Sequence, residues 1–322
     1  LLCLLLAAAP SFAQQKPKPA SVIFDSDMGP DYDDVGAMAM LHAYADSGYF
    51  KILATVASTR YAGVAPVFSV LNTYFGRPNL PIGVPHKAGL DMRDWQHWSD
   101  SLLARYPHRI KTNGAVPEAT EVYRQVLATQ PDSSVTIITV GFFTNLANLL
   151  QSGPDQYSAL SGAELVHKKV KRLVSMAGRF PDGKEFNVEK DAAASQRVFQ
   201  NWPTEIWLSG YEIGAEIKTG VPLMRNEAIT NSPVKDVFRI AIPKAAEDRD
   251  GRMSWDQTAV LVAAKGVAPW YRLQKGTMQV AADGSNTWRN GNGRHFYLVA
   301  LAPPAPVQAL IERVMAHQPM RK

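Results

Sequence analysis

From residue 21 to about residue 210, short β-rich runs alternate with helical patterns. The runs "SVIFDSD", "KILATVAST", "LPIGVP", "SVTIITVG", "KRLVSMAG" and "TEIWLSG" have the β-branched and apolar content of strands. Helical periodicity falls between several of them, from Val35 to Ala45, Val67 to Tyr74, Pro117 to Thr129, Thr144 to Gln151 and Ala192 to Phe199. Near-continuous apolar strands have no face to show to water, and helical crossovers are how parallel strands are joined. The pattern predicts an α/β fold of the Rossmann-like kind: an open, doubly wound, mostly parallel sheet with helices on both faces. In such sheets ligands sit beyond the carboxyl ends of the strands. Past residue 211 the alternation weakens into helices near 233–247 and 256–265, strands near 276–282 and 295–301, and a last helix near 305–317.

One of those carboxyl ends is unusually charged. "VIFDSDMGPDYDDVGAMAML" places Asp25, Asp27, Asp31, Asp33 and Asp34 within ten residues, directly after the first strand and before a helix. Unit charges about 4 Å apart repel by roughly 4 kcal/mol at an effective dielectric near 20, so a semi-buried cluster of this kind calls for a positive partner. One or two aspartates could cap the following helix. Five exceed that need. With no Cys or His nearby, the oxygens suit a hard cation, Ca²⁺ or less comfortably Mg²⁺. An EF-hand is excluded, because Gly29 and Pro30 fill its fifth and sixth positions and Gly36 its twelfth. "GRFPDGKEFN" and Val140-Gly141 should share the same rim.

A formal net charge of +5 over 322 residues, without a basic run interleaved with aromatics, argues against nucleic acid as a partner. "LLCLLLAAAPSFA" reads as a signal peptide over residues 1–13, its initiator methionine and basic start lying outside the sequence. Residues 14–20 would form an extended leader and 21–322 a single catalytic domain. Cys3 is the only cysteine, so the mature chain would form no disulfide; export to a bacterial periplasm or the extracellular space is the expectation. No other segment reads as a membrane span. The segment 86–113, aromatic and charged, has the character of a lid or binding loop.

"DSDMGPDYDD" after a buried strand resembles the N-terminal signature of the inosine-uridine type nucleoside hydrolases, with two additional residues between its DxD and its DD. "VGFFTNLANLL" at 140–150, "EFNVEKDAAA" at 185–194 and "WDQTAVLVAA" at 255–264 agree in order and approximate spacing. The resemblance spans about residues 21–318. It implies Ca²⁺ held by Asp27, both oxygens of Asp34, the carbonyl of Val140 and Asp256. Asp27 would be the general base, Asp33 would hold the ribose 2′-hydroxyl, Glu185 and Asn187 the 5′ and 3′ side, and Asp25 would support the ligands from behind. The implied substrate is a nucleoside, and the implied assembly a homodimer or homotetramer.

This sequence departs from the family at the leaving group. Many members carry a histidine before the last metal-binding aspartate, where Trp255 stands here. That resembles the purine-preferring branch, in which an indole stacks on the base; Trp95 or Trp98 could supply a second face. Arg60 and Arg179 stand where asparagines are common, as solvated charges or as contacts to a phosphorylated or extended ribosyl compound. His42 and His295 read as packing residues, and His86, His97 and His108 as loop residues near a pocket mouth. "NGNG" at 290–293 reads as a turn. Two other functions compete: a DxD phosphatase, which "VIFDSD" superficially matches, and a non-catalytic ribosyl-binding protein.

Overall fold

The computed structural model describes residues 18–319, and the proposed signal segment lies outside the described residues. Strands β1 (Ala20–Ser26), β2 (Phe50–Ala57), β3 (Ile82–Gly83), β4 (Val135–Thr139), β5 (Val170–Met176) and β6 (Asp182–Lys184) come from the first 184 residues. β7 (Glu205–Ser209), β8 (Lys218–Thr219), β9 (Arg252–Met253), β10 (Tyr271–Val280), β11 (Ser285–Asn290) and β12 (His295–Ala300) follow. Ten of them form one sheet in the order β3-β2-β1-β4-β5-β7-β12-β10-β11-β6, and β8 pairs with β9 apart from it. Neighbours from β3 to β12 run parallel. The last three strands turn antiparallel.

The expected doubly wound sheet is therefore present, and its chain reverses direction of winding between β1 and β4. β2 and β3 stack on one side of β1, while β4, β5 and β7 stack on the other. Val22, Ile23 and Phe24 are fully buried because helices cover both faces of β1. The loops that leave β1 and β4 lie against each other: a Cβ on Gly141 would stand 2.3 Å from the Asp27 nitrogen and 2.4 Å from the Ser58 hydroxyl. Only glycine lets Val140 approach the acidic loop so closely.

Some boundaries differ from expectation for local reasons. The helix expected over 233–247 ends at Ala241 and continues as a short 3-10 turn, Ile242–Lys244, since Pro243 has no N–H to donate. The helix Gly162–Lys169 was not anticipated, although Ser161 and Glu164 form a reciprocal capping box there. The segment 86–113 is not a free lid. Its helix Trp98–Arg105 packs into the body, and the Thr59 hydroxyl donates to the Leu90 carbonyl at 2.9 Å. "NGNG" forms the turn between β11 and β12. Among the described residues no helix is long and apolar enough to cross a membrane.

Candidate active site

Beyond the carboxyl ends of β1, β4 and β5 lies a cleft lined by Asp27, Asp31, Asp33, Asp34, Val140, Glu185, Asn187, Trp255 and Asp256. Two helices point their N-termini at it, Asp33–Asp46 and Trp255–Lys265, each with aspartate in its first turn. The helix dipoles offset part of the negative charge there. Every residue that the resemblance assigns to the cation or the sugar therefore lines one cavity, brought together across 229 positions of sequence between Asp27 and Asp256 (256 − 27).

The carboxylates are not equivalent. Arg252, buried behind the cleft wall, gives its Nη2 to Asp31, its Nε to Asp33 Oδ1 at 3.3 Å and stands 3.8 Å from Asp248. Among the described residues, the salt bridges of this region go to Asp31, Asp33 and Asp248. Asp27, Asp34 and Asp256 are left with one another. Burial first, then the neighbouring carboxylates, push Asp27 and Asp256 well above the ordinary aspartate range. Asp34 is pushed up to about 6 by burial and by Asp31, against hydrogen bonds that favour its ionised form. Its Oδ1 accepts from the Ser26 hydroxyl at 2.5 Å and from the Met28 N–H at 3.1 Å. One carboxylate oxygen each of Asp31, Asp33 and Asp34 lies within 4.8 Å of the others. Since Arg252 serves the first two, Asp34 is the member of that trio facing the unpaired set.

These residues fit a hard divalent cation. Three buried carboxylates and Val140 line the same cleft without a basic side chain paired to them, and the donors they offer are oxygen. The Val140 carbonyl currently accepts from Asn187 Nδ2 at 3.2 Å. Asp25 faces away: its Oδ2 accepts from Tyr123 at 2.8 Å and Asn145 at 3.0 Å. Its link to the cleft is through its carbonyl, which accepts from the Val140 N–H at 2.8 Å. Burial pushes its carboxyl up to about 7.

The profile of the inosine-uridine preferring nucleoside hydrolases matches residues 22–297. The chain belongs to this family. Its fold is similar to a plant nucleoside hydrolase, PpNRh1, at 20% identity and TM-score 0.70, covering 92% of this chain and 99% of that one. An inosine-uridine preferring nucleoside hydrolase from Bacillus anthracis is 16% identical, with TM-score 0.70 over 92% and 99%. The type III effector XopQ, complexed with adenosine diphosphate ribose, is 14% identical, with TM-score 0.70 over 92% and 94%. Among curated protein sequences none matches this chain.

Within this nucleoside hydrolase fold, Glu185 accepts from the N–H groups of Asn187 at 2.8 Å, Gly178 at 3.1 Å and Val188 at 3.3 Å. It thus caps the short helix Phe186–Lys190 while facing the cleft, and burial raises it to about 7. Trp255 lines the wall as expected; its Nε1 donates to the Tyr211 carbonyl at 2.8 Å, and the two rings lie 5.2 Å apart at 32°. A Cβ on Gly214 would stand 2.4 Å from Trp255, so a glycine there sets the indole's seat.

Trp98 cannot be the second aromatic face, because it is fully buried in the core under its own helix. Trp95 is 54% exposed and lies outside the cleft lining. Tyr211 and Phe186 occupy the cleft instead, and both are exposed aromatics at its mouth. Phe186 was within reach of sequence reasoning, since it stands between Glu185 and Asn187. Nothing in the sequence marked Tyr211 or Arg252. His42 packs on Phe75 at 4.7 Å as expected, and His295 accepts from the Met278 N–H at 3.0 Å. His86 contacts the Val116 carbonyl, His97 the Asp100 carboxylate and His108 the Tyr106 carbonyl, all away from the cleft lining. Arg60 donates to the Gly89 carbonyl at 3.1 Å, whereas Arg179 lies 5.2 Å from the Tyr211 ring centre.

Proposed function

We propose that this protein is a Ca²⁺-dependent N-ribosyl hydrolase that cleaves ribonucleosides, purines preferred, to free base and ribose. The observation that carries the reading is the set Asp27, Asp34 and Asp256, without a basic partner and lining one cleft with Val140, in a chain of the inosine-uridine preferring nucleoside hydrolase family. When bound, the cation would offset the repulsion within that set, engage the sugar diol and ease deprotonation of the attacking water.

The chain's own residues do the rest. Asp27, which a bound cation would keep ionised, accepts a proton from water as the water attacks the anomeric carbon, while the bond to the base breaks and its electron pair leaves with the base. Asp33 faces the 2′-hydroxyl, and Glu185 and Asn187 the 5′ and 3′ side, so the sugar is held for attack on one face. The anionic wall favours the positive charge that develops on the ribosyl ring. No histidine lines the cleft among the described residues. Trp255 and Tyr211 would instead stack on the base, favouring the protonated ring that leaves. Burial of the cleft walls supports the same reading over a surface-exposed phosphatase site, and Asp33-Asp34 have no part in a DxD phosphatase. A homodimer or homotetramer belongs to the proposal by family resemblance.

A second reading has its own observation. Lys184 lines the cleft beside Glu185, on the side proposed for the sugar 5′ end, and its half-exposed amine meets Glu189 at 3.5 Å and Asp283 at 3.3 Å, so a phosphate would compete with two surface carboxylates for it. It would suit a 5′-phosphorylated or extended ribosyl compound, the kind of ligand named with XopQ. Release of ribose from purine and pyrimidine nucleosides, and of ribose phosphate from the matching nucleotides, with chelator or added Ca²⁺, separates the two. Metal-dependent release fastest with purine nucleosides establishes the first; turnover of nucleotides alone establishes the second.

A further inference from the structure

The sheet has a second charged end, opposite the cleft. β5, β7 and β12 begin there, so it lies at least the length of β5, roughly 20 Å, from the acidic rim. A groove of about 420 Å³ opens at the strand starts, lined by His167, Lys171, Arg172 and Arg294, with Glu205 as its one acidic residue. The hollow beside it, which shares Ser133 and His167, adds Lys168. The two acids of that hollow are engaged: Asp132 pairs with Lys169 at 2.8 Å, and Glu164 closes the capping box with Ser161. Among the described residues no salt bridge of this region reaches Lys168, Lys171, Arg172 or Arg294.

Arg172 is half-buried, not splayed into water. Its guanidinium carbon lies 3.8 Å from the Trp207 ring centre, and its Nε is sealed from solvent without a hydrogen-bond partner. Glu205 stands opposite it in the strand register, but the Glu205 carboxylate accepts from Trp207 Nε1 at 3.2 Å. Burial pushes Arg172 below the ordinary arginine range, and Glu205 offsets that only in part. A cation held this way is stabilised by an anion brought to it, since a buried charge without a partner is costly. Stacking on the indole leaves the guanidinium edges for acceptors in its plane, the geometry that suits phosphate. Arg294 is anchored on the same groove, donating from Nη1 to the Pro203 carbonyl at 3.0 Å. The negative end of the helix Gly162–Lys169 accounts for His167 and Lys168. It does not account for Lys171, Arg172 and Arg294, which stand at or just before strand starts, where the backbone has little net dipole.

We propose that this groove is an anion site that takes a phosphate-bearing ligand, with Arg172 as its fork and Lys171 and Arg294 as flanking charges. Its volume is that of small-molecule sites. The groove shares no residue with the cleft, so it stands or falls apart from the hydrolase reading. Pyrophosphate is the probe, titrated by calorimetry into the full chain in metal-free buffer, so that the cation site of the cleft plays no part. Saturable binding is expected, weakened about tenfold or more by Arg172→Gln and by the double variant Lys171→Gln with Arg294→Gln. Arg172→Lys should fall between, because lysine keeps the charge but not the fork. Lys87→Gln removes one charge from an exposed position outside the groove and should leave the affinity unchanged. Equal weakening by Lys87→Gln and Arg172→Gln would reveal diffuse charge attraction and overturn the site. Cosedimentation with phosphatidylglycerol and with phosphatidylcholine vesicles separates two sources of the phosphate. Retention on phosphatidylglycerol only, lost in Arg172→Gln, assigns a lipid headgroup; pyrophosphate binding without retention assigns a free ligand. Should Arg172→Gln not fold, the exposed pair Lys171 and Arg294 decides. Binding of neither pyrophosphate nor vesicles overturns the proposal.

Discussion

Asp31 and Asp33 share a loop with Asp27 and Asp34, yet only the first pair has a basic partner. Arg252 pairs with Asp31, with Asp33 and at longer range with Asp248, yet one guanidinium does not balance three carboxylates, and burial and Asp31 still push Asp33 well above the ordinary aspartate range. The second pair, joined by Asp256, has no basic partner and pays for its burial in raised pKa values. The difference shows how a single distant arginine divides one acidic loop into a part with a basic partner and a part without one. Buried charges persist where paired or metal-bound, and this rim shows one case of the former beside a site suited to the latter.

The largest expected effect breaks the unpaired side. Asp27→Ala should lower kcat for inosine by about 10³-fold, the range of a lost general base, while far-ultraviolet circular dichroism stays unchanged. Activity within tenfold of the parent would remove Asp27 from that role. The metal comparison comes next. Saturating Ca²⁺, at about a thousand times its Kd, should stabilise the parent by about 4 kcal/mol over chelator, seen as a rise in Tm. Asp34→Asn should abolish most of that rise and Asp31→Asn should not; equal losses would erase the division.

A pH series sharpens the same contrast. The unpaired carboxyls have folded-state pKa values above their unfolded ones, so they bind protons more tightly when folded. Their contribution to stability is full below about pH 3.8 and is lost as pH rises through the folded values, near 6 for Asp34. In chelator, the unfolding free energy from urea titration should therefore fall between pH 4 and pH 7, by on the order of 1 kcal/mol per pH unit, and added Ca²⁺ should flatten the slope. A slope that Ca²⁺ leaves untouched would mean the proton-binding groups lie elsewhere. The smallest effect is at the aromatic wall. Gly214→Ala displaces Trp255 from its seat, and inosine turnover should fall by several-fold, about 1 kcal/mol of lost stacking, with Ca²⁺ binding preserved. Release from a riboside with an activated leaving group should change less.

Much of this was legible in the chain. The alternation of apolar runs and helical periods carries the parallel sheet, because a strand buried on both faces leaves a continuous apolar signature. β10 and β11 were harder to see as an antiparallel extension, since their half-exposed faces mix polar and apolar residues. The clustering of Asp25 to Asp34 at a strand end pointed to the cleft, as did the blocks holding Val140, Glu185, Asn187 and Asp256. Trp98 misled for a physical reason: next to a charged, aromatic loop it reads as a pocket residue, but its helix turns it into the core.

What the sequence by itself determined is the sheet, the rim on which chemistry sits and the oxygen-rich character of that rim, because local periodicity and a contiguous acidic run are properties of neighbours along the chain. Which aspartates have a basic partner was decided only by tertiary structure. Arg252 lies 219 positions from Asp33, and no local pattern announces that the two will meet. The charge state of a buried cluster depends on whatever distant side chains the fold brings within a few ångströms, so the same five aspartates acquire different partners only once the helices have packed.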